Sequence, residues 1–347
     1  MALNGTAGTN TGINATAGNG WIYFIRPTAP FWISNLITII AGLGGNVLVF
    51  VLLRDVKFSF LSYPMYLRFM ALSDSAVLIA YGILQSLRYF HVFHIISNYV
   101  CSLWMFISYS SMLLSPWLVV GLTVDRFYCV VFPMKRDRLC TKRKATIVCW
   151  CLATLSGVLT IPLVLDPMKV KGLTTACFFK NQHITYFYFV RLVLSSTLPC
   201  LLILIFNIVI GFHIQRSATF RKRFTSSTST ANTESKLDKS IRPLMLISIL
   251  AFVTMVPLAI IECILGFLIV NESGFQTVAI LTKLWPMFYI LYLINFGQNL
   301  YILMASSANY RKIMKTKLTC RGGNSSRLND NVTVSRFPWQ PAASVDS

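Results

Sequence analysis

An acid and an arginine stand side by side, Asp125-Arg126, at the end of an apolar run that begins at Cys101. Such a pair does electrostatic work rather than bond-breaking, because each charge is costly beside hydrocarbon and less so when paired. Other ionisable groups are set in equally apolar surroundings. Asp74 falls midway along one run, Arg191 lies deep in a second and Glu262 in a third. An ionisable side chain at membrane depth marks a functional position with a partner to be found. Arg191 and Glu262 either pair with each other or meet opposite charges on a ligand. No Ser/His/Asp set, phosphate loop or facing pair of acids is present. The four histidines (His91, His94, His183, His213) lack metal-ligand spacing. The pattern therefore points away from an enzyme.

The elements that must carry these residues follow from composition. The chain has 347 residues, 55% hydrophobic and 12% charged, with a mean hydropathy of +0.63. The charged share is about half that of soluble domains, so bilayer is the natural solvent. The net charge of +20 falls between apolar runs, which fits membrane loops rather than nucleic-acid binding. Seven apolar stretches, at about 31–53, 63–87, 101–132, 145–166, 185–214, 241–270 and 278–303, are each long enough to span. Backbone facing lipid must satisfy itself, and without the alternation of a β-barrel only helices do so. The expected fold is an all-α membrane protein, a seven-transmembrane helix bundle over 31–303. A disordered segment, 1–30, precedes it; a short amphipathic membrane-surface helix, 304–320, and a disordered tail, 321–347, follow. Cys101 and Arg126 would sit about 37 Å apart on one helix, close to the bilayer thickness with headgroups.

Lys and Arg crowd the loops that are internal if the N-terminus is outside, among them Lys135–Lys144, Arg221–Arg223 and Arg311–Lys317. This predicts an extracellular N-terminus and a cytoplasmic C-terminus. No cleavable signal peptide is evident. Asn4 and Asn14 head glycosylation sequons, and Cys320 is a candidate acylation site. Cys149, Cys151, Cys200 and Cys263 lie inside apolar runs and are expected to be buried. Only Cys101 and Cys177 fall at segment ends on the outer side, where oxidation is possible.

Several anchors recur together: Gly45-Asn46-Val47, Leu72-Ser73-Asp74, Asp125-Arg126-Phe127, Trp150 with Pro162, Pro199, Pro257, and Asn295-Phe-Gly-Gln-Asn299. Jointly, over about residues 31–315, they resemble the rhodopsin-like (class A) G-protein-coupled receptors. The resemblance implies a multi-pass plasma-membrane receptor that binds an extracellular ligand and activates a heterotrimeric G protein. Arrestin, receptor kinases and membrane lipid are further implied partners. It also implies a Cys101–Cys177 disulfide, and G-protein coupling through Asp125, Arg126, Pro133 and Met134. Arg126 at a membrane boundary would otherwise simply snorkel. Asn46, Asp74, Ser115, Asn295 and Asn299 match the family's sodium pocket; the alternative is a hydrogen-bonded core without an ion. No other cofactor is implied.

The chain departs from the family at Met255, Leu300, Leu303 and Asn207, and Pro116 predicts a kink in the third helix. Ser108 stands 18 residues before Arg126, where amine receptors carry an acid, and Leu293 replaces the retinal-binding lysine. The candidate ligand residues are Gln85, Tyr109, Met112, Arg191, Glu262, Trp285, Tyr289 and Tyr292, with Arg88 and Lys283 nearby. Charges of both signs with many aromatics suit a peptide, and 167–182 resembles the outer-loop hairpin of peptide receptors. The run Asp-Arg-Phe-x-Cys-x-x-x-Pro-Met-Lys with Asn207 is most similar to invertebrate neuropeptide receptors of the FMRFamide-receptor type. The alternatives are a receptor for a lipid or other small molecule and, more distantly, a transporter, which should show internal repeats or broken paired helices.

Overall fold

The computed structural model describes residues 27–54, 61–90, 98–165, 167–170, 176–179, 183–224, 231–270 and 275–319. The glycosylation candidates Asn4 and Asn14 and the acylation candidate Cys320 lie outside the described residues. Helices α1 (Ala29–Leu52), α2 (Tyr63–Tyr89), α3 (Asn98–Val131), α5 (Lys142–Val164) and α8 (Ala231–Val270) are each one helix. A 3-10 turn at Pro133–Lys135 and the short α4 (Arg136–Leu139) link α3 to α5. The fifth span starts as α6 (Ile184–Tyr188), widens into a π-helix at Phe189–Thr197 and continues as α7 (Leu198–Phe224). The seventh is α9 (Phe275–Asn295) followed by α10 (Asn299–Ser306). Among the described residues, six helices are long and apolar enough to cross a membrane, and α9 with α10, bent by 61°, makes a seventh if the bent pair is one span.

The distribution of side chains is that of a protein solvated by lipid. Ile37, Val47, Leu72, Trp150, Ile208 and Phe267 are exposed, while Asn46, Asp74, Ser115, Arg191, Glu262 and Asn299 are buried. Lipid accepts the apolar outside, and the polar groups must find partners within the bundle. Cys149 and Cys200 are buried as expected, but Cys151 is exposed on the outer surface of α5. α3 is central, packing on α2, α5, α7, α8 and the π segment.

Three local features position the functional residues. Pro116 lies inside α3, which continues through it without a break. The seventh span breaks instead, at Phe296–Gln298, although no proline follows Asn299. There a Cβ on Gly297 would stand 2.5 Å from Gly42 Cα, so glycine at both places allows α1 and the break to touch. In the fifth span Pro199 has no N–H to close the wide π turn onto the Leu194 carbonyl. Trp117 Nε1 from α3 donates to that carbonyl at 2.9 Å and takes the missing role.

A two-stranded antiparallel hairpin, β1 (Pro167–Val170) and β2 (Ala176–Phe179), pairs Lys169 with Cys177 and packs against α3. The hairpin suggested by the sequence is present. Cys101 is buried and disulfide-bonded; Cys177 lies on β2, whose side chains are outside the described set. The helix α11 (Ala308–Thr319) exposes Arg311, Lys312 and Lys315.

Candidate functional site

One end of the bundle holds a cavity of about 120 Å³. Gln85 and Arg88 of α2, Tyr109 and Met112 of α3, Arg191 of the π segment, Glu262 of α8, and Trp285 and Tyr289 of α9 all line it. Seven of the eight candidate ligand residues are thus gathered around one space. Tyr292 is not on its wall but is joined to it, because Arg191 Nη1 donates to its hydroxyl at 2.9 Å. Lys283 is exposed and lies away from the wall.

Arg191 organises this end. Its Nε donates to Glu262 Oε2 at 2.8 Å and its Nη2 to Oε1 at 3.1 Å. This two-point fork is the geometry in which arginine holds carboxylate best. Nη1 also meets Met112 Sδ at 2.8 Å, and the guanidinium carbon stands 4.9 Å from the Tyr292 ring centre. Met112 Sδ accepts in turn from the Tyr81 hydroxyl at 3.0 Å. The π turns place Arg191 inward, which a sequence read at helical period does not reveal. Of the two readings of Arg191 and Glu262, the structure shows the mutual pair. Trp285 stacks on Tyr289 at 4.5 Å, and Tyr81 meets Tyr289 edge-on at 5.4 Å, so the floor is aromatic.

The middle of the bundle carries the polar residues. Asp74 accepts from Ser115 Oγ through Oδ1 and from Asn299 Nδ2 at 3.0 Å through Oδ2. These bonds join α2, α3 and α10. Asn46 does not bond Asp74; its Nδ2 donates at 2.9 Å to the Phe296 carbonyl, freed by the helix break. Asn295 turns toward α8, where its Oδ1 accepts from Thr254 at 3.3 Å and from Gln298 at 3.0 Å. Asp74 and Ser115 therefore supply oxygen atoms close together, and Asn46 Oδ1 is a buried acceptor with no partner among the described residues. Asp74 and Ser115 together have the hard oxygen chemistry that suits a small monovalent cation, with Asp74 supplying the charge.

At the other end, Asp125 and Arg126 are both buried and form an ion pair through Asp125 Oδ2. Ser62, the residue before α2, donates to the same oxygen at 2.8 Å and accepts from Arg126 at 3.3 Å. Arg126 also lies 5.0 Å over the Tyr63 ring, and its Nε has no partner among the described residues. Pro133 and Met134 are exposed on the following turn. Sequence reasoning missed Ser62 and Tyr63, because nothing local marks a residue before a span as the partner of another helix's acid. It also missed Thr254 and Gln298, whose role depends on where the seventh span breaks.

Three of the four departures are accommodated by packing. Met255 is buried in one cluster with Met112, Leu258, Tyr292 and Phe296. Leu300 and Leu303 are buried on α10, so both departures there sit in apolar contact. Asn207 carries a buried Oδ1 with no partner among the described residues.

The sequence matches the family described as 7 transmembrane receptor (rhodopsin family) over residues 45–299. Among curated relatives are the B1 bradykinin receptors of Macaca fascicularis and Macaca mulatta. Each is 29% identical over 130 residues, a match that spans 37% of this chain and 37% of the relative.

Proposed function

The chain belongs to the rhodopsin family of seven-transmembrane receptors, and from that premise we propose that it binds a short extracellular peptide and activates a heterotrimeric G protein. The observation that carries the ligand reading is the cavity whose wall joins an aromatic floor to the Arg191–Glu262 pair. Those two charges neutralise each other, so a ligand is recognised chiefly through aromatic surface and hydrogen bonds, with Arg88 the other charged lining residue. Two curated relatives are named as receptors for bradykinin. The FMRFamide-receptor type remains our subfamily reading, supported by Asp125-Arg126-Phe127-x-Cys129, Pro133-Met134-Lys135 and Asn207. A second reading, a lipid or other small molecule, is favoured by the modest cavity volume of about 120 Å³.

In this proposal the cavity end faces outward and the Asp125 end faces the cytoplasm of the plasma membrane, as the Lys and Arg distribution supports. Cys101 pairs with Cys177 and holds the hairpin to α3. Ligand binding shifts a two-state equilibrium toward a form in which Arg126 leaves Asp125 and meets the G protein, with Pro133 and Met134 at the same surface. Asp74 holds a sodium ion in the resting form, with Ser115 and Asn46 as oxygen donors. Arrestin and receptor kinases act on the same face, and Cys320 anchors the end of α11. The test is expression in cells with a promiscuous G protein and a screen of a neuropeptide library for calcium release. A peptide response that depends on Arg126 is expected. A surface-expressed protein silent to every peptide but answering a lipid would replace the ligand reading with the second one.

A further inference from the structure

Cys129 and Cys140 have no part in the proposed signalling, yet they meet beside Asp125. Cys129 follows Asp125 by four residues, so both side chains lie on one face of α3. The chain then leaves the membrane run, turns through Pro133–Lys135 and α4, and returns Cys140 to the same place. Cys140 Sγ stands 3.0 Å from Cys129 Sγ and 3.5 Å from the Asp125 carbonyl oxygen. The two sulfurs and an Asp125 carboxylate oxygen all lie within 4.8 Å of one another. Asp125 and Cys129 are buried and Cys140 is partly accessible, so the cluster is held by the fold and open on one side.

We infer that Cys129, Cys140 and Asp125 form a site for a thiophilic divalent cation, of the zinc or cadmium class. Two sulfurs and one carboxylate are a ligand set that selects such ions over magnesium or calcium. Two thiolates about 2.3 Å from a tetrahedral ion stand about 3.8 Å apart, so the sulfurs need only part by less than about 1 Å. The ion pair and the hydrogen bond from Ser62 both fall on Oδ2, so a second carboxylate oxygen remains for the ion. Water takes the fourth position on the accessible side. On binding, the ion replaces the two thiol protons, which pass to solvent, and ties the turn after α3 to the acid that holds Arg126. The site requires neither ligand nor G protein, so it stands or falls separately from the proposed signalling function.

The test is a cadmium titration of the full chain, purified in detergent with reductant, followed by the ultraviolet thiolate-to-cadmium absorption. One ion per chain is expected, displaceable by zinc. Cys129→Ser and Cys140→Ser should each weaken binding by more than the roughly 10–100-fold that loss of a mere supporting partner costs. A readout on the unmodified chain needs no variant: zinc should slow maleimide labelling of Cys140. Cadmium uptake that is unchanged in the double serine variant, labelling insensitive to zinc, or a Cys129–Cys140 disulfide that persists in reductant would each overturn the site.

Discussion

Among the described residues are two buried arginine–carboxylate pairs, and they are built in opposite ways. Arg191 and Glu262 come from different spans, 71 residues apart, and meet through a two-point fork. Around them Met112 and Tyr292 fill the remaining hydrogen bonds of one guanidinium nitrogen. Asp125 and Arg126 are neighbours in sequence, joined through one carboxylate oxygen that Ser62 shares. The first pair bridges two helices and must lose two hydrogen bonds to open. The second can open by a change of side-chain rotamers alone, and Arg126 Nε already lacks a partner among the described residues. One pair clamps two spans beside a cavity, and the other joins sequence neighbours through a single oxygen.

The largest expected effect comes from breaking the fork. Glu262→Gln leaves Arg191 buried without its counter-charge, which costs about 3–5 kcal/mol; the unfolding temperature of the purified protein should fall most in this variant. Asp125→Asn keeps the shape at the other end and removes one charge, and a hydrogen bond to a charged group is worth about 1.5–3 kcal/mol. Its loss of stability should be smaller, and nucleotide exchange on the G protein without ligand should rise. Ser62→Ala removes a neutral donor to the same oxygen, worth about 0.5–1.5 kcal/mol, and should raise that exchange only slightly. Asp74→Asn, between the two ends, should abolish the sodium dependence of agonist affinity; unchanged sodium dependence would remove the ion from the account. A larger loss for Asp125→Asn than for Glu262→Gln would reverse the comparison.

Much of this arrangement was legible in the residues. The seven spans follow from run length and hydropathy, and Asp74, Arg191 and Glu262 drew notice because charge is expensive in lipid. Their grouping could be read only as far as resemblance went. Asn46 and Asn295 were placed with Asp74, yet one caps a carbonyl at the helix break and the other faces α8. The break itself was hidden because it rests on Gly297 against Gly42, 255 residues away in sequence, rather than on a proline. Pro116, by contrast, lies within α3 and does not interrupt it. The π turns that aim Arg191 inward depend on Trp117 supplying a donor across helices, and no local pattern announces that.

The most direct measurement takes a peptide found in the library screen and compares its binding with G-protein nucleotide exchange, at matched surface expression, for Arg126→Ala and Glu262→Gln. Arg126→Ala should bind the peptide and fail to drive exchange, whereas Glu262→Gln should lose binding. Loss of both properties in both variants, or exchange that survives Arg126→Ala, would contradict a molecule in which one pair serves ligand binding and the other serves signalling.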